Sequence, residues 1–80
     1  MTRRSPSLTR RQRDVLGAIV RYIEREGFSP TIRELAEEIG VAGHFTVVEH
    51  LEQLEDKGFI ARFHTRPRTI RVLRRDEGVA

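Results

Sequence analysis

The chain has no cysteine. That absence excludes a disulfide framework, a thiolate zinc site and a cysteine nucleophile together. Long apolar runs are missing too: the longest, Val15 to Val20 counting Gly17, falls far short of the ~20 residues that cross a bilayer. No apolar stretch behind the N-terminal arginines ends in a small-residue cleavage site, so a soluble, cytoplasmic chain without membrane contact is expected. His44, His50 and His64 lack metal-ligand spacing, and Glu49-His50 lacks the second histidine of a zinc-protease helix. No glycine-rich loop follows a strand and no serine sits in a nucleophile elbow. The expectation is a non-enzyme with no cofactor, no metal and no small-molecule ligand.

What remains is one small domain. Eighty residues, 38% hydrophobic and 34% charged, supply a single modest core. The net charge of +3 is small, but the basic charge lies at both ends. Residues 1–13 carry five arginines and no acid, residues 14–57 sum to −6, and residues 58–75 sum to +6. Fourteen of the fifteen basic residues are arginine, whose planar fork suits phosphate oxygens and guanine edges. A polyanionic partner accounts for this pattern; arginine bias with simply solvated ends is the bland alternative.

Residues 1–7 contain Pro6 and show no periodicity, which reads as a flexible basic arm. Thr9 and Gln12 stand at capping-box spacing, and Val15, Leu16, Ile19 and Ile23 recur at helical spacing. A first helix is predicted from about Arg10 to Arg25, ended by Gly27 and by the extended Ser29-Pro30 pair. Thr31 and Glu34 repeat the capping box, with Leu35, Ala36 and Ile39 as a short apolar stripe before Gly40. Val47, Leu51 and Leu54 predict a third helix from about His44 to Asp56, closed by Lys57-Gly58. Two short helices about a glycine turn make a helix-turn-helix. Phe59 to Phe63 and Thr69 to Leu73 are β-favouring runs around a five-residue turn, His64 to Arg68. The fold class is therefore mainly α with a small β-hairpin, a winged helix-turn-helix over 8–73, with 74–80 as a tail or the start of a linker.

On a helical wheel Val47, Leu51 and Leu54 fall within about 60°, leaving Phe45, Val48, Glu49 and Glu52 on other faces. At the start of a recognition helix, Phe45 and Val48 suit thymine methyl groups, Thr46 a base or phosphate, and Glu49 a cytosine amino group. Phe45 as a staple under the second helix and Glu49 as a plain solvated acid are the competing readings. Arg66 and Arg68 bracket Pro67 at the hairpin tip, placed for contact with the DNA backbone or minor groove beside the recognition helix. Arg10, Arg11 and Arg13 occupy the wrong end of a helix for its dipole, which fits an anionic ligand or an ordinary charged surface.

Four separated motifs resemble the N-terminal DNA-binding domain of the LexA repressor family. They are Leu8-Thr9-x-Arg11-Gln12; Gly27-x-Ser29-Pro30-Thr31-Ile32-Arg33-Glu34-Leu35-Ala36 before Gly40; His50-Leu51-x-x-Leu54-x-x-Lys57-Gly58-x-Ile60; and Arg66-Pro67-Arg68. The resemblance covers about residues 8–73. It implies a nucleoid-associated SOS-response repressor domain that binds an inverted-repeat operator as two copies. Base-reading candidates are Gly43, His44, Phe45, Thr46, Val48 and Glu49; backbone candidates are Arg10, Arg11, Thr31, Arg66 and Arg68. Gly43, His44 and Phe45 stand where that family usually presents small polar residues, and Val48 where it often has a polar one. The family's self-cleaving peptidase domain, which also supplies most dimer contact, has no counterpart in these residues. With only a small core and no spare apolar helix, a monomer is expected when free. A winged-helix protein-interaction module using the acidic middle, or a non-specific DNA-binding protein, remains an alternative.

Overall fold

The computed structural model describes residues 8–75; the basic arm over 1–7 and the end of the tail, 76–80, lie outside them. Three helices, α1 (Arg10–Glu26), α2 (Ile32–Ile39) and α3 (His44–Asp56), precede a hairpin of β1 (Ile60–Ala61) and β2 (Arg71–Val72). This is the winged helix-turn-helix that the spacing predicts. Both expected capping boxes form. The Thr9 and Thr31 hydroxyls accept from the Gln12 and Glu34 backbone N–H groups, and the Gln12 and Glu34 side chains accept in return from the threonine N–H groups.

The α2–α3 turn depends on Gly40. Its φ of 79° lies in the left-handed region, and its N–H donates to Ala36 O to end α2. The chain then reaches α3 through only Val41, Ala42 and Gly43.

Burial follows the predicted stripes and extends past them. Val47, Leu51 and Leu54 of α3 are fully buried, as are Leu16, Ala18 and Ile19 of α1 and Leu35 of α2. Helix α1 is buried over the whole run Val15 to Val20, more than one amphipathic face supplies, because α2 and α3 both pack against it. Phe59, Ile60 and Ile70 bring the wing into the same cluster, which Leu8 also joins.

The strands are much shorter than the five-residue runs expected. Ile60 pairs with Val72 and Ala61 with Arg71, and there the ladder stops. Beyond it the backbone donors turn elsewhere: Phe63 N–H donates to Thr69 Oγ1, and Ile70 N–H donates to Ser29 Oγ at 3.1 Å. Arg68, within the predicted turn, adopts a left-handed φ of 57°. Arg74 and Arg75, assigned from sequence to the tail, contact the body: the Arg74 guanidinium lies 4.5 Å from the Phe59 ring centroid, and Arg75 pairs with Glu24 at 3.2 Å.

Candidate nucleic-acid interface

The first turn of α3 is built differently from those of α1 and α2. Its N-cap is Gly43, which makes no side-chain cap hydrogen bond, and no acid stands in the turn. No capping side chain therefore satisfies the N–H groups that a helix start leaves over, and the partial positive charge of the dipole is unopposed within the turn.

His44, Phe45 and Thr46 are all exposed, and Glu49 is exposed one turn later. Phe45 is 79% exposed, so it neither staples under α2 nor belongs to the core. Val48 is half-buried, while its neighbour Val47 faces inward with no exposure. The wheel thus separates the two valines correctly, with Val48 at the margin.

A groove of about 410 Å³ runs between the start of α2, the start of α3 and the wing. Thr31, His44, Arg66 and Arg68 line it, so four predicted site residues from three elements meet there. Arg33 and Phe63 line it as well and were not singled out from the sequence. Phe63 is 71% exposed. Its signal was available: a large apolar side chain at the end of a strand run, beside the turn.

Arg10 and Arg11 are not part of this groove. Both are exposed at the start of α1, which packs against the far end of α3. There the Gln12 amide donates to the Gln53 side chain, and Lys57 Nζ donates to Gln12 Oε1 at 2.7 Å. Residue 53 lies about 14 Å along the helix axis from residue 44. Any partner that meets both ends spans the length of α3.

The arginine-rich C-terminal segment is less free than its charge implies. Arg62 pairs with Glu55 at 3.3 Å with a side chain only 7% exposed, and His64 Nε2 also meets Glu55, at 2.9 Å. Arg68 donates to Glu34 Oε2 at 2.8 Å and to Ser29 O at 3.2 Å. Arg74 and Arg75 are engaged as described above. Arg66 and Arg71 have no ion-pair partner among the described residues. The Thr31 N–H and the Arg68 guanidinium, with the Tyr22 hydroxyl, hold the Glu34 carboxyl down to about 2. Glu34 in turn raises Arg68 further, so the pair is ionised and mutually neutralised across the ordinary pH range.

Among the described residues no group of three or more acidic or histidine side chains stands where it could hold a metal, and no helix is long and apolar enough to cross a membrane.

Residues 5–69 match the family described as LexA DNA binding domain. The chain is 42% identical over 69 residues to a LexA repressor of Bacillus thuringiensis (strain Al Hakam) and, over the same length, to one of Bacillus anthracis. A third, from Bacillus cytotoxicus, is 42% identical over 66 residues. These alignments cover 82 to 86% of this chain but only 32 to 34% of each relative, so the chain spans about a third of the length of the repressors it matches. With the family matched along most of the chain and the winged helix-turn-helix in place, the chain belongs to the LexA DNA-binding domain family.

Proposed function

We propose that this chain reads an operator half-site in duplex DNA with the first two turns of α3, as a repressor domain acting in the SOS response. The observation that carries the reading is Phe45: a large apolar side chain, 79% exposed, on an uncapped helix start beside an arginine-bearing wing. In water that arrangement has no benefit; in a major groove it meets thymine methyl groups. Val48 adds a second apolar contact, His44 and Thr46 supply hydrogen bonds, and Glu49 accepts from a cytosine amino group. Gly43, the N-cap of α3, stands with them at the base-reading end of the helix.

Arg66 contacts the DNA backbone from the wing, Thr31 does so from the start of α2, and Arg10 and Arg11 reach phosphates flanking the far end of α3. The domain is monomeric when free, and two copies occupy an inverted repeat. Selection of bound sites from a random duplex pool tests this reading. The expected product is an enriched half-site, repeated with dyad symmetry and bound in a salt-dependent way. Retention without enrichment would reduce the domain to a non-specific binder. Absence of retention at low salt would point instead to a protein-interaction module.

A further inference from the structure

We infer that Arg68 is a positioning residue, which latches the wing against the start of α2 and so sets where Arg66 meets the DNA backbone, instead of contacting phosphate itself. The inference rests on the DNA-reading role proposed above and refines one residue of it.

The hairpin has little stiffness of its own. Its ladder holds two residue pairs, and a two-stranded hairpin is marginal in water. Side-chain anchors must therefore set its angle. At the base the anchor is the Ile70 N–H donating to Ser29 Oγ. Nearer the tip it is Arg68, whose two terminal nitrogens reach different groups: Nη1 the Ser29 carbonyl at 3.2 Å and Nη2 the Glu34 carboxylate at 2.8 Å. The guanidinium also lies 4.9 Å from the Phe28 ring centroid, and Phe28 packs edge-on against Tyr22 of α1 at 6.1 Å. One side chain thus ties the wing to the α1–α2 connection and to α2. Its own backbone is held at φ 57°, an uncommon conformation for a side chain of this size.

Electrostatics argue in the same direction. If Arg68 swung out to a phosphate, the Glu34 carboxylate would lose its guanidinium partner at 2.8 Å, a cost set against the new contact. As a closed pair the two residues sum to zero and release no counterions on DNA binding.

Glu34→Gln is the most informative variant, since glutamine keeps the capping box with Thr31 while weakening the grip on Arg68. It is compared with Arg68→Ala, Arg68→Lys, Arg66→Ala and the unaltered chain. The readouts are amide hydrogen exchange over residues 62–70 and binding to a short random-sequence duplex across a salt series. The latch requires Glu34→Gln, Arg68→Ala and Arg68→Lys all to speed exchange in the wing while α1 and α3 amides stay protected. It also requires each to weaken binding roughly five- to tenfold, with an unchanged salt slope for Arg68→Lys, which conserves the charge. Arg66→Ala lowers that slope by about one phosphate contact and leaves wing exchange alone. Tighter binding by Glu34→Gln, full affinity of Arg68→Lys, or a slope lowered by Arg68→Ala with wing protection intact would each overturn the latch in favour of a phosphate contact. If the unaltered chain is not retained on the duplex, the DNA-reading role fails, and wing exchange alone decides the latch: unchanged protection in Glu34→Gln and Arg68→Ala rejects it.

Discussion

The backbone N–H of Ile70 donates to the hydroxyl oxygen of Ser29 across 41 positions of sequence, and that hydroxyl donates onward to the Pro30 carbonyl. Both residues are more than nine-tenths buried, so the bond joins the α1–α2 connection to the wing away from water. Ser29→Ala strands the Ile70 N–H and should cost about 1–3 kcal/mol. Thermal melts should show a midpoint lowered by at least about 4 °C, as expected for a domain of this size. An unchanged midpoint would mean that the wing does not depend on this bond.

Phe45→Ala should leave folding nearly untouched, within about 0.5 kcal/mol, because the ring is 79% exposed. The same change should relax discrimination at one or two base pairs of a selected site, each by roughly 1 to 3 kcal/mol. Val48→Ala should relax base choice similarly, with a somewhat larger effect on stability, since Val48 is half-buried. Melting curves beside binding to point variants of the selected site measure both quantities. A large fall in melting temperature for Phe45→Ala with base preference intact would contradict the reading role.

Arg66→Ala should weaken binding to all duplexes alike. Arg66 is exposed on the wing and has no ion-pair partner among the described residues, so its charge is available to phosphate. The slope of log affinity against log salt should become shallower by about one contact. A shift in sequence preference at constant slope would place Arg66 on base edges instead.

Acid should loosen the α2–wing junction late. The Glu34 carboxyl, held by the Thr31 N–H and then by Arg68, lies at about 2 in the fold against 4.5 for a free glutamate. A carboxyl depressed on folding stabilises fully above its unfolded value, and that contribution disappears as pH falls through the folded one. Glu38, lowered chiefly by Arg25, acts in the same sense at the α1–α2 contact. Melting temperature should therefore be insensitive to these groups between pH 6 and 8 and fall between about 4.5 and 2. Glu34→Gln should make that acid limb shallower, and an identical limb in the variant would refute the assignment.

The sequence by itself determined the features that short-range interactions make. Each capping box closes over three residues, the Gly40 turn answers a local demand for positive φ, and α3 spans His44–Asp56 as its apolar spacing requires. The exposed face of α3 followed as well, because 100° per residue puts Phe45 opposite to what Val47, Leu51 and Leu54 bury. Tertiary structure alone decided which charges are paired and how far the strands extend in the wing. Its strands shrink to two residues because Ile70 spends its donor on Ser29, and Phe63 spends its own on a side chain, choices that no periodicity encodes. The arginine count gave the size of the basic segment but not its availability. Arg62, Arg68 and Arg75 meet Glu55, Glu34 and Glu24 at separations of 7, 34 and 51 positions. A charge is neutralised by what lies within a few ångströms, and for two of these three pairs only the packing of distant segments sets that distance.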